Sequence, residues 1–541
     1  MKHSTLKNVN QLRLFPDTEE FPVCPSIPLI MLPENKQSKR INHMTKFKSL
    51  HESQKPLIHL APESYLEYIG ELIPHDHLCR MVKEVVFSLD TEPTCPNRFR
   101  RVEAKYSFLG QNSYHPKLLL SVLFYGYATG VRSSRKLSEK CISDHMYIYL
   151  MQCYRPDYRT ISDFRKNNTM EIERYFVDIV RIFSELGYKN VGKIYLDGTK
   201  IKGNASSKRT KDRAGFEKWL ERLEEEIKDL IKEAATIDNQ EDESCKLSSE
   251  QEELQKKLSN RKYVKSKIHE ALEMLNDERK RKQVNLTDSD AHYMKSGGSK
   301  DVRPGYNCQA VSTEDGIIVT ADAVTEANDH DQLEPMIEQT ELNTGKKVEE
   351  VSADSGYGGY ASCEYLEKRE IDGYVPDMYF HQYKSGEYKK EENRYHYSNF
   401  TYDTSSDSYI CPEGKRLKYL KTRKKKTKSR QWNHKVYKGT ECTNCVKRSL
   451  CTKAKVRELL IDIREPLLKR MREKLLSTEG ALKYFRRQYT IEPIFGHLKY
   501  NLGYRNFLLR GREKVNAEFK LMCIGWNLKK MLRMGIKPVL A

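Results

Sequence analysis

The chain has 541 residues, and its 95 Lys and Arg against 76 Asp and Glu give a formal net charge of +19. That balance suits a polyanionic partner, either nucleic acid or an anionic membrane surface. The membrane is set aside: the longest apolar run, near Leu118–Val131, is too short to span a bilayer and contains Gly126 and Gly130. The opening MKHSTLKNVNQLRLF lacks the apolar core of a signal peptide, so a cytoplasmic, nucleoid-associated protein is expected. Thirteen scattered cysteines, an odd number, argue against a disulfide framework.

Residues 1–60 are polar and carry Pro16, Pro22, Pro25, Pro28 and Pro33, which reads as an extended arm. Residues 61–185 read as an all-helical domain. Leu78, Met81, Val82, Val85 and Val86 recur at helical spacing after Pro74. Pro116 suits the first turn of a core helix that Gly130 ends. Ser133 or Ser134 is predicted to cap the next helix, and Thr160 or Ser162 the one in RPDYRTISDFRKNN. The domain reads either as a plain bundle or as a helix-turn-helix-like DNA reader, with Arg or Lys near each helix start.

In KIYLDGTKIKGNAS, an apolar run stops at Asp197-Gly198 and gives way to lysines. The expected strand therefore ends at Asp197. Two amphipathic helices follow, over Phe216–Ala234 and Leu254–Leu275, separated by DNQEDES: an antiparallel hairpin inserted over 208–282. Strands return at Gly305–Ser312 and Ile317–Val324 around the turn TEDG. A helix capped by Asp329 or Asp331 and stopped by Gly345 comes next, then a strand ending at Asp354-Ser355. Residues 360–465 are polar, tyrosine-rich and basic, and include KTRKKKTKSR, either a solvated loop or a phosphate contact. From Pro466 to Met534 the chain reads as helical. The whole is a mixed α/β fold behind a helical domain.

Asp197 and Asp354 each sit at an expected strand end beside a small residue. Two such strands side by side would bring the carboxylates together, where a hard cation relieves their repulsion. A third acid, Glu492, lies in YFRRQYTIEPIFGHLKYNLGYRNFLLRG; Lys499 is seven residues on, hence on the same face of a helix.

Three segments together, YLDGTKIKGNAS, GYNCQAVSTEDG through VSADSGY, and IEPIFGHLKYNLGYRNFLLRG, resemble the bacterial insertion-sequence transposases of the DDE class with a Tyr-Arg-Glu-Lys signature. HPKLLLSVLFYGYATGVRSSRKL and PDYRTISDFRK resemble the helical domain that precedes catalysis in that group. The resemblance implies a ribonuclease H-like catalytic domain over 186–359 and 466–541. It implies that Asp197, Asp354 and Glu492 hold two Mg2+ or Mn2+ ions, Asp197 bridging both. Cleavage would free a 3′-hydroxyl that then joins target DNA. Lys499 matches the signature lysine, and Lys202, Lys208 and Arg209 would lie near the DNA backbone. Counted back from Glu492, the tyrosine and arginine slots hold Phe485 and Gln488; a shift of register would let Tyr484 and Arg487 serve, Arg487 on DNA. The implied partners are double-stranded DNA, as element ends and as target, and a second copy of the chain, since two ends must be handled together. The alternatives are a nuclease of the same class without strand transfer and a catalytically inactive DNA-binding descendant.

Cys411 opens CPEGK, and Cys442, Cys445 and Cys451 follow in CTNCVKRSLC. A CxxC with flanking cysteines between basic turns suits a structural zinc, and four reduced thiols are the alternative. Asp288 and Asp290 read as turn formers or DNA-positioning groups, and Trp526 as core.

Overall fold

The computed structural model describes residues 62–89, 114–185, 191–238, 249–276, 282–295, 302–385, 394–426 and 431–535. The arm expected over 1–60 lies outside them, as do most of DNQEDES and the end of KTRKKKTKSR. The chain divides into two compact units. One takes the chain up to Tyr188, Ile201–Tyr306 and Gly496 onward; the other takes Lys189–Lys200 and Asn307–Phe495.

In the first unit, helices run over Pro62–Leu72, Leu78–Ser88, Pro116–Thr129, Ser134–Ser143, His145–Leu150, Tyr158–Asn167 and Thr169–Glu185. Pro116 occupies the first turn, where its missing N–H costs nothing, and Gly130 closes the helix in the left-handed region at φ 85°. Ser133 stands at the predicted cap position of the following helix, although its side chain makes no capping bond. The cap predicted at Thr160 or Ser162 is corrected: Asp157 caps that helix, accepting from Arg159 N–H at 2.9 Å. Aspartate two residues before the first free N–H is the better acceptor, and the helix starts a turn earlier.

Pro116–Thr129 is buried almost throughout and packs on the final helix, Arg512–Arg533. A Cβ on Gly525 would lie 2.7–2.9 Å from the backbone of Tyr127 and Ala128, so only glycine allows these helices to approach as they do. Glu518, wholly buried in this core, accepts from Leu508 N–H and Leu509 N–H at 2.9 Å and pairs with Arg132 at 3.5 Å. The helical hairpin forms as expected, over Arg213–Asp238 and Ser249–Met274. Phe216, Leu223, Ile268, Ala271 and Leu275 fill its seam, and the pairs Glu226–Arg261 and Glu224–Lys265 fix its antiparallel sense. Asp288 and Asp290 serve the final helix: they accept from Gly511 N–H and Arg512 N–H at its start.

The second unit is built on strands β1 (Lys193–Lys202, of which residues up to Lys200 fall in this unit), β2 (Val302–Thr313, from Asn307 onward), β3 (Ile318–Val324), β4 (Glu350–Ala353) and β5 (Asp372–Tyr374). They lie in the order β3-β2-β1-β4-β5; β2 and β3 are antiparallel, while β1, β4 and β5 run parallel. Strand β1 runs through Asp197-Gly198 to Lys202, so the predicted strand end there is wrong. Gly198 is not a turn residue. A Cβ at that position would come within 2.7 Å of Gln309 Nε2 and 3.0 Å of Asp329 Oδ1 and Tyr357 OH, so a side chain there would have to displace this hydrogen-bonded group. The second expected end holds: β4 stops at Ala353, and Asp354 opens the turn that follows.

The insertion expected over 360–465 divides. Its first part, the helix Tyr360–Lys368 and strand β5, belongs to the main sheet, because β5 continues the parallel run beside β4. Its later part is a separate antiparallel sheet of β6 (Thr401–Asp403), β7 (Ser408–Ile410), β8 (Arg416–Lys426), β9 (Gln431–Gly439) and β10 (Glu458–Asp462), in the order β10-β9-β8-β7-β6. Phe400, Leu417, Tyr437 and Leu459 form its small core. The segment from Pro466 onward is helical over Glu465–Leu476, Thr478–Thr490, Glu492–Gly496 and Arg512–Arg533, with a π-helical stretch at His497–Asn501.

Candidate active site

Leu196 of β1 is paired with Ala353 of β4. Asp197 and Asp354 are therefore the next residues on adjacent parallel strands, which lie about 4.8 Å apart, and by the same register they share a face of the sheet. The sequence brings them together through two apolar runs, Ile194–Leu196 and Val351–Ala353, that bury as neighbours. Asp354 is braced by its own turn: Gly356 N–H donates to its Oδ1 at 2.7 Å.

Glu492 joins them through Arg487. The Arg487 guanidinium pairs with Glu492 Oε1 at 2.8 Å and approaches Asp197 Oδ1 at 3.6 Å. Burial pushes the Asp197 carboxyl up to about 7, against the pull of Arg487 and of the 2.9 Å bond from Gly198 N–H, and the charges of Asp354 and Glu492 push it the same way. Three acids thus face one buried guanidinium.

Arg487 itself is only 8 % exposed and lies among these acids. Tyr484 lies one turn before it, its ring 5.6 Å from the guanidinium carbon. Phe485 and Gln488, which occupy the slots counted from Glu492, are both exposed. Arg487 rather than Gln488 faces the acids because the helix is broken. Thr478–Thr490 ends at Ile491, and a new helix starts at Glu492 with Pro493, which has no N–H to continue the ladder. Beyond Gly496 the π-helical turn changes the period again, so the seven-residue step from Glu492 to Lys499 is not two α-helical turns.

A fourth acid is present that sequence reasoning read as a helix cap. The helix Leu333–Thr344 starts after Gln332, and Asp329 does not cap it. Asp329 Oδ1 instead accepts from Asn307 Nδ2 at 2.6 Å and Gln309 Nε2 at 2.7 Å, and Oδ2 pairs with Lys200 at 3.3 Å. Gln309 Oε1 in turn accepts from the buried Tyr357 hydroxyl, in the turn that carries Asp354. The available signal was Asn307 and Gln309: two fully buried amides at i and i+2 of an otherwise apolar strand, GYNCQAV, need polar partners on one face.

Lys202, Lys208, Arg209 and Lys499 belong to the first unit. Lys202, Lys208 and Arg209 are exposed, the last two on the short helix Ser207–Arg209. Lys499 lies half-buried in the π-helical stretch.

Cys411, Cys442, Cys445 and Cys451 line a single pocket with Tyr395, Phe400 and Arg457. All four are free thiols. CPEGK folds as a tight turn in which Lys415 N–H points at the Cys411 sulfur, 3.3 Å away. Burial, reinforced by the other three sulfurs, raises the Cys451 thiol. Among the described residues, no group of three or more His, Cys, Asp or Glu is set to hold a metal ion. That holds for the thiols and the acids alike.

Residues 67–167 match the family model of a transposase domain (DUF772), and residues 410–532 match that of a transposase DDE domain. Together the two matches indicate an insertion-sequence DDE transposase. The second match takes in Glu492 and the four cysteines; Asp197 and Asp354 lie outside it. No curated protein and no solved structure matches the chain. Among the described residues, no helix is long and apolar enough to cross a membrane.

Proposed function

We propose that the chain binds the terminal repeats of an insertion sequence and catalyses metal-dependent DNA cleavage and strand transfer. The carrying observation is the grouping of Asp197, Asp354 and Glu492 about Arg487, with Asp197 driven toward its neutral form. Oxygen donors alone, more negative than their single counter-charge, suit hard divalent cations. Asp197, Asp354 and Glu492 would hold them, in a unit whose mixed sheet is compatible with a ribonuclease H-like fold. When bound, two such ions supply an activated water and a charge sink for the leaving oxygen.

The chain's own residues do the rest. Asp197 must give up its proton before it can act as a ligand. Arg487 offsets one negative charge and fixes the direction of Glu492. Gln309 and Tyr357 hold the Asp354 turn from beneath. Lys202, Lys208 and Arg209, exposed and basic, suit the phosphate backbone, and the helical unit suits recognition of the repeat. Two ends require two copies, so a dimer on DNA is expected. The test is cleavage of a supercoiled plasmid bearing the element ends with Mn2+. Asp354→Asn should bind the ends and leave them uncut; wild-type cleavage by that variant would remove the acids from the chemistry.

We also propose that the four cysteines hold a structural zinc, supported by their shared pocket and by the N–H already directed at Cys411. Metal analysis should find about one zinc per chain. Zinc-free protein with four titrating thiols would leave the cysteines as packing.

A further inference from the structure

The final helix presents Trp526, Lys529, Lys530 and Arg533 at i, i+3, i+4 and i+7, one face of the helix. These four and His497 line a small, shallow hollow open to solvent. Lys529 and Arg533 also line a second, wider hollow of about 700 Å³ with Pro74, Asp76, His77 and Leu78. Everything here lies within the first unit.

Among the described residues no carboxylate pairs with Lys529, Lys530 or Arg533, although ion pairs are frequent elsewhere, as at Lys520–Glu173 three turns earlier on the same helix. Asp76, on the wall of the wider hollow, makes no ion pair with them either. Burial and the nearby Arg533 hold the Lys529 amine below its usual value, the mark of a cation lacking an anion.

The second observation is His497. Its ring stands edge-on to Trp526, with centroids 5.3 Å apart. Its Nδ1 meets Asn501 Nδ2 at 3.0 Å; an amide nitrogen can only donate, so Nδ1 accepts and the ring proton sits on Nε2. That Nε2–H is buried and, among the described residues, meets no acceptor. An unsatisfied buried donor is costly and calls for an explanation. His497 opens the π-helical stretch, an irregularity often found at functional sites.

We infer that this hollow is a phosphate-class anion subsite, in which Lys529, Lys530 and Arg533 supply the charge and His497 Nε2–H the directed hydrogen bond. Its anion chemistry stands on the geometry alone. That the phosphate belongs to a nucleic-acid backbone rests on the function proposed above.

Two measurements separate these claims. The first is equilibrium dialysis of the full chain against radiolabelled inorganic phosphate. The second is duplex DNA affinity by fluorescence anisotropy across a salt series. For a backbone phosphate, Lys529→Gln with Arg533→Gln should weaken all duplex sequences alike and lower the salt slope by about 1. His497→Gln, which keeps a donor, should retain affinity that His497→Phe loses. Phosphate bound by the wild type and lost in the double variant, with the DNA slope unchanged, would uphold the anion subsite and overturn the backbone assignment. No phosphate binding and an unchanged slope would overturn the subsite altogether. Should the chain prove not to bind DNA, the dialysis still reads the hollow.

Discussion

Two carboxylates, one in each unit, have each been given an arginine: Glu518 is fully buried and Asp197 partly so. Glu518 faces Arg132 and two backbone N–H groups, and among the described residues no other carboxylate pairs with that arginine. Asp197 faces Arg487 and one N–H group, but Asp354 and Glu492 crowd the same charge. Glu518 is satisfied by the chain and stitches Arg132 and the Leu508–Leu509 loop to the final helix. Asp197 is left short of positive charge. Burial alone does not distinguish the two acids; the balance of donors against neighbouring acids does.

The comparison breaks most visibly in activity. Asp197→Asn, Asp354→Asn or Glu492→Gln should each lower cleavage by at least roughly a hundredfold to a thousandfold, as for loss of other preorganised charge-stabilising groups. Glu518→Ala should instead lower stability, by about 3–5 kcal/mol, because it strands Arg132 and two buried N–H groups; chemical denaturation measures this. A Glu518 variant of full stability would collapse the contrast.

The next effect is in pH. Between the ordinary carboxylate value and about 7, folded Asp197 keeps a proton that the unfolded chain releases. Stability should therefore fall as pH rises through that window, by on the order of a few kcal/mol at most. In chelator, Asp197→Asn should gain on the wild type from pH 4 to pH 7, and divalent cation should erase the gain. A difference independent of pH would mean that Asp197 is not protonated in the fold. Arg487→Gln removes the charge that restrains this shift, so the pH of half-maximal Mn2+ binding should move upward, which calorimetry would detect.

The smallest effect is expected at Asp329. Asp329→Asn keeps the shape but loses the pair with Lys200 and unsettles Asn307 and Gln309. A roughly tenfold loss of cleavage, about 1.4 kcal/mol, with unchanged end binding would mark it as a positioning residue. Equal losses of binding and cleavage would mark it as general scaffolding.

The acids were proposed from residue type and order alone, and the pairing of Leu196 with Ala353 then sets Asp197 and Asp354 on neighbouring strands. Tyr484 and Arg487 were reached only by allowing a shift of register, since their phase depends on the helix break at Ile491 and Pro493, and counting along a continuous helix passes straight through it. The end of β1 was misread for a related reason. Asp-Gly is ordinary turn chemistry, and only Gln309, Asp329 and Tyr357, far away in sequence, reveal that Gly198 is a matter of room. Asp329 itself was hidden among plausible caps, because its donors come from a strand some twenty residues earlier. The helical hairpin was easy to read, since its heptad-like spacing is local.

The cysteine-bearing sheet has a consequence of its own. Among the described residues, five strands enclose a small core of Phe400, Leu417, Tyr437 and Leu459, with Tyr409, Cys411, Cys451 and Ile461 packed against it. So small an interior stabilises little by burial, and lobes of that kind commonly lean on a staple. In native-state deuterium labelling its amides should open first, well ahead of those in β1 and β4, and a chelator should hasten that opening while the parallel strands keep their protection.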